Sequence, residues 1–355
     1  MKVMLLWALF FPAILYAQVD TSVPSNDSTA SVDDRTMLNN DGTKMSSSMT
    51  TDDQGGSQDV NNTENVNNTE SYTPEEPKVP EPTSKRAQEA DGLLQQRASR
   101  EVSTSNNPFV LTPHRPNYFL PITFNPHPNE SAFLGDKANN EDLDKVEFKF
   151  QLSFKFPVAY NIVGRNTSLW FAYTQQSYWQ AYNGAISAPF RDTNYEPEVF
   201  IVTQPKSGFL NIKPSNISYG FDHQSNGQSD PLSRSWNRLY VDFTFEDGNT
   251  AYSIKPWYRI PESKDEDDNP NIEKYFGYGE FRVFHAIDDY SIDVMLRNNL
   301  RSSENKGAVE VGFTFPLWGK SRGYVQYFNG YGQSLLGYDQ SSQTLGVGIM
   351  LTNWF

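Results

Sequence analysis

The sequence predicts an all-β fold, a twelve-stranded antiparallel transmembrane β-barrel with a disordered N-terminal extension. Three observations predict it. From residue 107 onward the chain breaks into runs that alternate apolar and polar residues at the two-residue period of a strand. Short and long polar links alternate between those runs. The last run carries Leu345, Val347, Ile349 and Leu351 on one face, interrupted by Asn353, and ends on the aromatic Phe355.

Composition sets the outer limits. The 355 residues carry a net charge of −14, no cysteine and 14% aromatic residues, with a mean hydropathy of −0.63. Zero cysteine excludes a disulfide framework and any cysteine-ligated zinc. The acidic balance argues against nucleic acid as a partner. Beyond the N-terminus, no apolar run reaches the ~18 to 20 residues of a membrane helix. Transmembrane strands escape such a scan, because they carry only alternating apolarity.

Taken in order, residues 1–17 read as a signal peptide. Lys2 is the charged start, 3–15 the apolar stretch, and Tyr16-Ala17 precedes a cleavage site at Gln18. Residues 18–106 form a low-complexity extension, rich in Ser, Thr, Asn, Asp, Gln and Glu, in which VNNTEN is followed by VNNTES. Such a tract buries too little apolar surface to offset backbone ordering, so disorder is expected. Within it, 74–82 is Pro-rich and stiff, and 84–103 fits one short helix. A spacer is the expected role. The barrel domain is expected over 107–355.

Twelve strands are expected there: 117–124, 144–157, 167–180, 194–204, 208–225, 235–246, 250–261, 273–285, 289–300, 306–316, 322–332 and 342–355. The second is the clearest. Val146, Phe148, Phe150, Leu152, Phe154 and Phe156 alternate with Glu147, Lys149, Gln151, Ser153 and Lys155. An apolar ladder opposite a charged one suits a barrel with lipid outside and a polar lumen, although a soluble sandwich gives the same alternation. Link lengths separate the two. Links at 205–208, 247–249 and 287–289 are tight, whereas 125–143, 181–193, 226–234 and 262–272 are long, as expected of periplasmic turns and external loops. An even strand count puts both ends of the barrel on the periplasmic side. Strands of about ten residues, rising ~3.3 Å each and tilted ~45°, span roughly 23 Å, close to the ~25 Å apolar band.

The fifth and sixth strands carry the chemistry. Ile217, Tyr219, Phe221, His223 and Ser225 share one face, as do Asn237, Leu239, Val241 and Phe243. Pairing His223 with Asn237 brings Phe221 to Leu239, Tyr219 to Val241 and Ile217 to Phe243, so the apolar rows coincide. Ser225 is then the candidate nucleophile, His223 the base and Asn237 the orienting amide, at the outer-leaflet end of the strands. The His and Ser Cα atoms lie about 7 Å apart along the strand, and Asn237 about 5 Å across the pair. An amide can fix the imidazole tautomer but stabilises imidazolium less than a carboxylate does. A triad on an apolar outside fits a lipid substrate. No G-x-S-x-G motif is present, so an α/β-hydrolase is not supported. In the third strand Gln175 falls on the lipid face among Leu169, Phe171, Tyr173 and Trp179, where an unpaired amide is costly and a partner subunit would relieve it. A register slip would instead put it in the lumen.

The segment HQSNGQSDPLSRSWNRLY resembles the active-site segment of the Gram-negative outer-membrane phospholipase A family. So do SAPFRDTNYEP, IKPWY, DDNPNIEKY and the closing GVGIMLTNWF. The resemblance covers about residues 107–355. It implies an outer-membrane enzyme that hydrolyses acyl esters of glycerophospholipids and lysophospholipids. It also implies a calcium ion bound between two monomers, with Ser187 from one subunit, Gln228 and Ser233 from the other, and Asp268 nearby. This chain has Gln228 where relatives carry Arg, a change tolerated if the ligand is the backbone carbonyl. By spacing alone, 265–271 is only a solvated acidic loop without an EF-hand glycine. Two flat half-cylinders associating through Gln175 would form an acyl groove beside Ser225, bounded by aromatics such as Phe190. The alternative from another class is a non-enzymatic porin or structural barrel, for which polarity is needed only in the lumen.

Overall fold

The computed structural model describes residues 92–353, apart from 105–106, 108–109, 129–132, 134–142, 165–166 and 206–213. The expected signal peptide, most of the expected extension and Phe355 lie outside the described residues. After the helix α1 (Leu93–Thr104) and the two-residue β1 (Thr112–Pro113), the strands are β2 (Asn117–Phe124), β3 (Val146–Tyr160), β4 (Thr167–Trp179), β5 (Phe190–Thr203), β6 (Asn216–Ser225), β7 (Ser235–Asp247) and β8 (Thr250–Ile260). A single helical turn, α2 (Glu273–Phe276), precedes β9 (Gly279–Ile287), β10 (Tyr290–Asn298), β11 (Gly307–Pro316), β12 (Arg322–Tyr331) and β13 (Ser341–Thr352).

Each strand from β2 to β13 pairs antiparallel with its sequence neighbour, and β13 returns to β2. The sheet therefore closes into a barrel of twelve strands with no free edge. β1 adds a short bridge to β3, opposite Lys155 and Phe154. Links alternate in length for the most part as the sequence predicts: 248–249 and 288–289 are tight, while 226–234 and 261–278 are long. The link expected to be tight at 205–208 instead runs from 204 to 215 between β5 and β6. Among the described residues no helix is long and apolar enough to cross a membrane, so crossing falls to the strands.

Closure of the sheet makes this a barrel rather than a sandwich, and its sides are inverted relative to a water-soluble protein. Tyr219, Leu239, Ile254, Leu296 and Val347 face outward and exposed, while Glu147, Lys149, Glu196, Glu198, Asp222 and Arg238 face inward and buried. Most of the inward charges are paired. Arg191 holds Glu147 at 2.8 and 2.9 Å. Arg238 reaches Asp222 at 2.7 Å and Glu196 at 2.8 Å. Buried charges persist only when so matched, because an unpaired one costs several kcal/mol. The lumen retains cavities of about 110 and 60 Å³ lined by such groups. A barrel filled this way has a polar core where a porin has an aqueous channel.

Three strand starts differ by four or more residues from the sequence expectation. β5 begins at Phe190 rather than 194, extending the ladder to the end of the β4–β5 link. β6 begins at Asn216 rather than 208, and 206–213 lie outside the described residues. β9 begins at Gly279 rather than 273, because the preceding segment turns helically and sinks Ile272 and Phe276 into an aromatic cluster with Trp236 and Trp257. Four-residue spacing of those two apolar side chains belongs to a helix face, and the two-residue reading overlooked it.

The short helix expected within 84–103 is found as α1. It is tied to the barrel at the end bearing the tight links. The Leu94 N–H donates to Glu246, Glu101 pairs with Lys155 at 2.9 Å, and Arg97 donates to the Pro113 and His114 carbonyls at 3.1 and 3.2 Å.

Candidate active site

The β6–β7 hairpin adopts the register read from the sequence, with His223 opposite Asn237, Phe221 opposite Leu239, Tyr219 opposite Val241 and Ile217 opposite Phe243. Behind it, the inner face is densely bonded. Asp222 accepts from Arg238, whose guanidinium lies 4.1 Å from the Trp236 ring. Trp236 donates to Gln224 at 2.8 Å and meets Trp257 and Phe276 edge-on. Gly220 faces the Tyr240 ring so closely that a Cβ would sit 2.3 Å from it, which is why glycine occupies this inward position.

On the outer face, His223 Nδ1 lies 2.9 Å from Asn237 Oδ1. An amide oxygen only accepts, so Nδ1 carries the proton and Nε2 is the basic nitrogen. Ser225, two residues on, shares this face and pairs across the ladder with Ser235 and Tyr195. A hydroxyl and an imidazole of defined tautomer thus stand at one end of an apolar outer surface, the elements needed for acyl transfer.

The loop that follows is ordered by Asn226, which is buried and was not singled out from the sequence. Its Oδ1 accepts from the Arg234 and Gln228 N–H groups, at 2.9 and 3.3 Å, and its amide donates to the Leu232 carbonyl at 2.8 Å. One side chain therefore braces the turn from Gln228 to Ser233. Asn and Asp commonly organise turns this way, which is the signal that was available. The 261–278 link then folds over the hairpin. Ser233 Oγ donates to Asp268 Oδ2 at 2.5 Å, and the buried Asn269 Oδ1 accepts from the Ser235 N–H at 3.0 Å. Two of the expected calcium ligands, Ser233 and Asp268, are thereby brought together, offering hard oxygen donors that suit calcium.

The other sequence-predicted residues lie on the neighbouring strands. Ser187 follows a 3₁₀ turn in a left-handed conformation, φ 64°. Phe190 opens β5, exposed, and stacks on Trp179 with centroids 5.3 Å apart. Gln175 is on the outer face, opposite Leu152 and Tyr195, with Gln176 turned into the lumen toward Tyr118 and Gln151. Gln175 accepts from the Tyr173 hydroxyl at 3.3 Å and donates to Ser177 at 3.2 Å. These are local partners that leave part of a polar amide on a lipid-facing surface.

Among the described residues one group of acids lies close enough to share an ion: Glu196, Glu198 and Asp222. They are in the lumen, and Arg115 reaches Glu196 and Glu198 at 2.7 and 2.6 Å, with Arg238, Lys255 and His114 adding further contacts. Cationic side chains already neutralise this group. It is an ion-pair network on the inner face, behind the hairpin that carries the candidate active site.

A second residue missed in the sequence is Glu262, just past β8. Asn237 Nδ2 donates to its Oε1 at 2.8 Å. Burial pushes this carboxyl above the usual carboxylate range, against the lowering effects of Asn237 and Arg259.

Comparison with known proteins identifies relatives of this arrangement. The family model described as Phospholipase A1 matches residues 94–351. Phospholipase A1 of Escherichia coli K12 is 36% identical over 275 residues, covering 78% of this chain and 93% of that protein. The enzyme of Klebsiella pneumoniae is 39% identical over 251 residues, 70% of this chain and 85% of its own. Among solved structures, outer membrane phospholipase A from E. coli superposes with a TM-score of 0.65 at 38% identity, covering 70% of this chain and 95% of that one. The Salmonella typhi outer membrane phospholipase dimer with bound calcium superposes at 0.64, with the same identity and coverage.

Proposed function

This chain belongs to the phospholipase A1 family, and from that premise we propose that its Ser225, His223 and Asn237 hydrolyse phospholipid acyl esters at the outer barrel surface. The protein is an outer-membrane β-barrel and an ester hydrolase of phospholipids. The observation that carries the assignment is the 2.9 Å contact between His223 Nδ1 and Asn237 Oδ1 on a face otherwise built for lipid. Ser225 Oγ attacks the ester carbonyl and gives its proton to His223 Nε2. Asn237 holds the ring so that Nε2 faces the serine. The tetrahedral adduct collapses as Nε2 returns the proton to the departing glyceryl oxygen, leaving acyl-Ser225 and lysophospholipid. Water then attacks the acyl carbon with His223 again as base, and the fatty acid leaves.

The negative charge that develops on the carbonyl oxygen needs a stabiliser that the three side chains do not provide. Calcium fits that need. Ser233, with the Gln228 backbone carbonyl and Asp268 nearby, would hold it together with Ser187 of the other subunit, and it would supply positive charge at the oxyanion. The solved relative from S. typhi is a dimer with bound calcium, which supports a homodimer as the working form here, with Gln175 at the interface and Phe190 at the wall of the acyl groove. Lysophospholipids should be substrates as well, because one exposed acyl ester suffices. The protein purified in detergent should release fatty acid from both lipid classes in calcium. A folded barrel that released none from either would return the non-enzymatic alternative.

Residues 18–91 we assign to a spacer, with the folded unit beginning near α1. Deleting 18–91 should leave the heat-modifiable barrel and its activity unchanged. Deleting 18–106 removes the α1 contacts to Glu246 and Lys155 as well, and should lower stability by about 1 to 2 kcal/mol, scaled from the few charge-assisted hydrogen bonds lost. Equal unfolding temperatures for the two deletions would show that α1 contributes nothing.

A further inference from the structure

The strand geometry that unites His223 and Asn237 brings a third strand to the same place. Asn237 on β7 lies opposite Ile260, the last residue of β8. Glu262 follows Ile260 by two residues and returns to the outer face, beyond Pro261, which has no N–H to continue the ladder. His223, Asn237 and Glu262 therefore form a row across β6, β7 and the end of β8, joined at 2.9 and 2.8 Å. We infer that Glu262 is a positioning residue for the hydrolysis, fixing which way the Asn237 amide faces and lending the imidazole, through that amide, the negative charge a neutral asparagine lacks. The inference rests on the triad reading and extends it.

The chemistry of the three groups requires this direction. A carboxylate only accepts, so the Asn237 NH₂ must turn toward Glu262 and its oxygen toward His223 Nδ1. The opposite amide orientation would put NH₂ against the ring and select the wrong tautomer for a base at Nε2. The second carboxylate oxygen, Oε2, is buried and makes no hydrogen bond among the described residues, with Arg259 Nη2 3.9 Å away. Asn237 is thus the principal hydrogen-bond partner of this carboxylate. The charged groups facing the row are Arg259 from β8, Asp267 and Asp268 from the following link, and Arg238 beside Asn237 on β7. A half-buried carboxylate next to a hydrogen-bonded amide stabilises positive charge on the far imidazole more than an amide alone would.

The test uses the full chain in detergent, with calcium, measuring kcat and KM across pH and confirming the barrel by heat-modifiable migration. Glu262→Gln keeps the shape, removes the charge and lets the Asn237 amide face either way. It should lower kcat about tenfold, the scale of one charge-assisted hydrogen bond, with KM unchanged. The acid limb of the kcat profile should move to lower pH, because losing a nearby negative charge disfavours imidazolium. Glu262→Asp should fall between Glu262→Gln and the parent. On an Asn237→Ala background, Glu262→Gln should add nothing further. A Glu262→Gln protein with the parent kcat and acid limb, alongside an impaired Asn237→Ala protein, would overturn the role of Glu262 alone. Asn237→Ala at the parent rate would instead overturn the triad beneath it. Should Glu262→Gln fail to fold, Glu262→Asp decides, since an unmoved kcat and acid limb there also defeats the inference.

Discussion

Changing Ser225 to Ala should cut phospholipid hydrolysis by at least about 10³-fold, because the residual rate then rests on binding and electrostatics alone. The barrel should be unaffected. Ser225 ends β6 on the outer face, so the substitution removes one oxygen without touching the ion pairs that fill the lumen. Heat-modifiable migration should match the parent, and fatty-acid release should fall to near the uncatalysed rate. A serine-directed phosphonylating reagent should label the parent and not the variant. Asn237→Ala should be milder, since the base survives with only its orientation lost. If it proved as severe as Ser225→Ala, Asn237 would be doing more than orienting the ring. Hydrolysis near the parent rate in Ser225→Ala would remove the nucleophile from this account.

Much of this site was legible because strand geometry is a two-residue code. Fixing one cross-strand pair, His223 with Asn237, fixes all the others in the hairpin, and the three further outer-face pairs follow in the structure as read. The alternation of β3 gave the barrel's inside and outside, since apolar residues that face lipid and charges that face a lumen leave the same trace in sequence as in space. What stayed hidden depends on where chain segments fold back. Asn226 braces a loop through backbone groups, which no side-chain pattern reports. α2 interrupts the strand period because Ile272 and Phe276 find an aromatic cluster supplied by β7 and β8. Glu262 lay one residue beyond the expected strand end. Extending the row Tyr258, Ile260 by one more step, and pairing β8 on β7 as β6 had been paired, would have reached it.

Chelating calcium should abolish hydrolysis and return the protein from dimer to monomer, both reversibly. The proposed ligands explain why one ion controls both. Ser187 lies on the β4–β5 link and Gln228 and Ser233 on the β6–β7 link, and the family resemblance divides them between two subunits. An ion that completes its shell only across an interface binds the dimer and not the monomer, so it stabilises the dimer by mass action, about 2.7 kcal/mol at one hundred times its dissociation constant. In the proposed dimer the outer face would supply the docking surface. Gln175 spends its polar atoms on Tyr173 and Ser177 within its own strand, and the same amide across a two-fold axis would give it stronger partners in a medium that offers none. Gln175→Ala should therefore raise the calcium needed for half-maximal dimerisation about fivefold, the equivalent of one net hydrogen bond of about 1 kcal/mol. Saturating calcium should still restore activity. Such coupling would also let an esterase with the nucleophile proposed here coexist with its own membrane, since the isolated monomer would lack the calcium proposed as oxyanion stabiliser. Sedimentation in detergent alongside a continuous fatty-acid assay reads both events. Full turnover from a monomer in excess chelator would separate catalysis from assembly and leave the calcium ligands proposed here without a role.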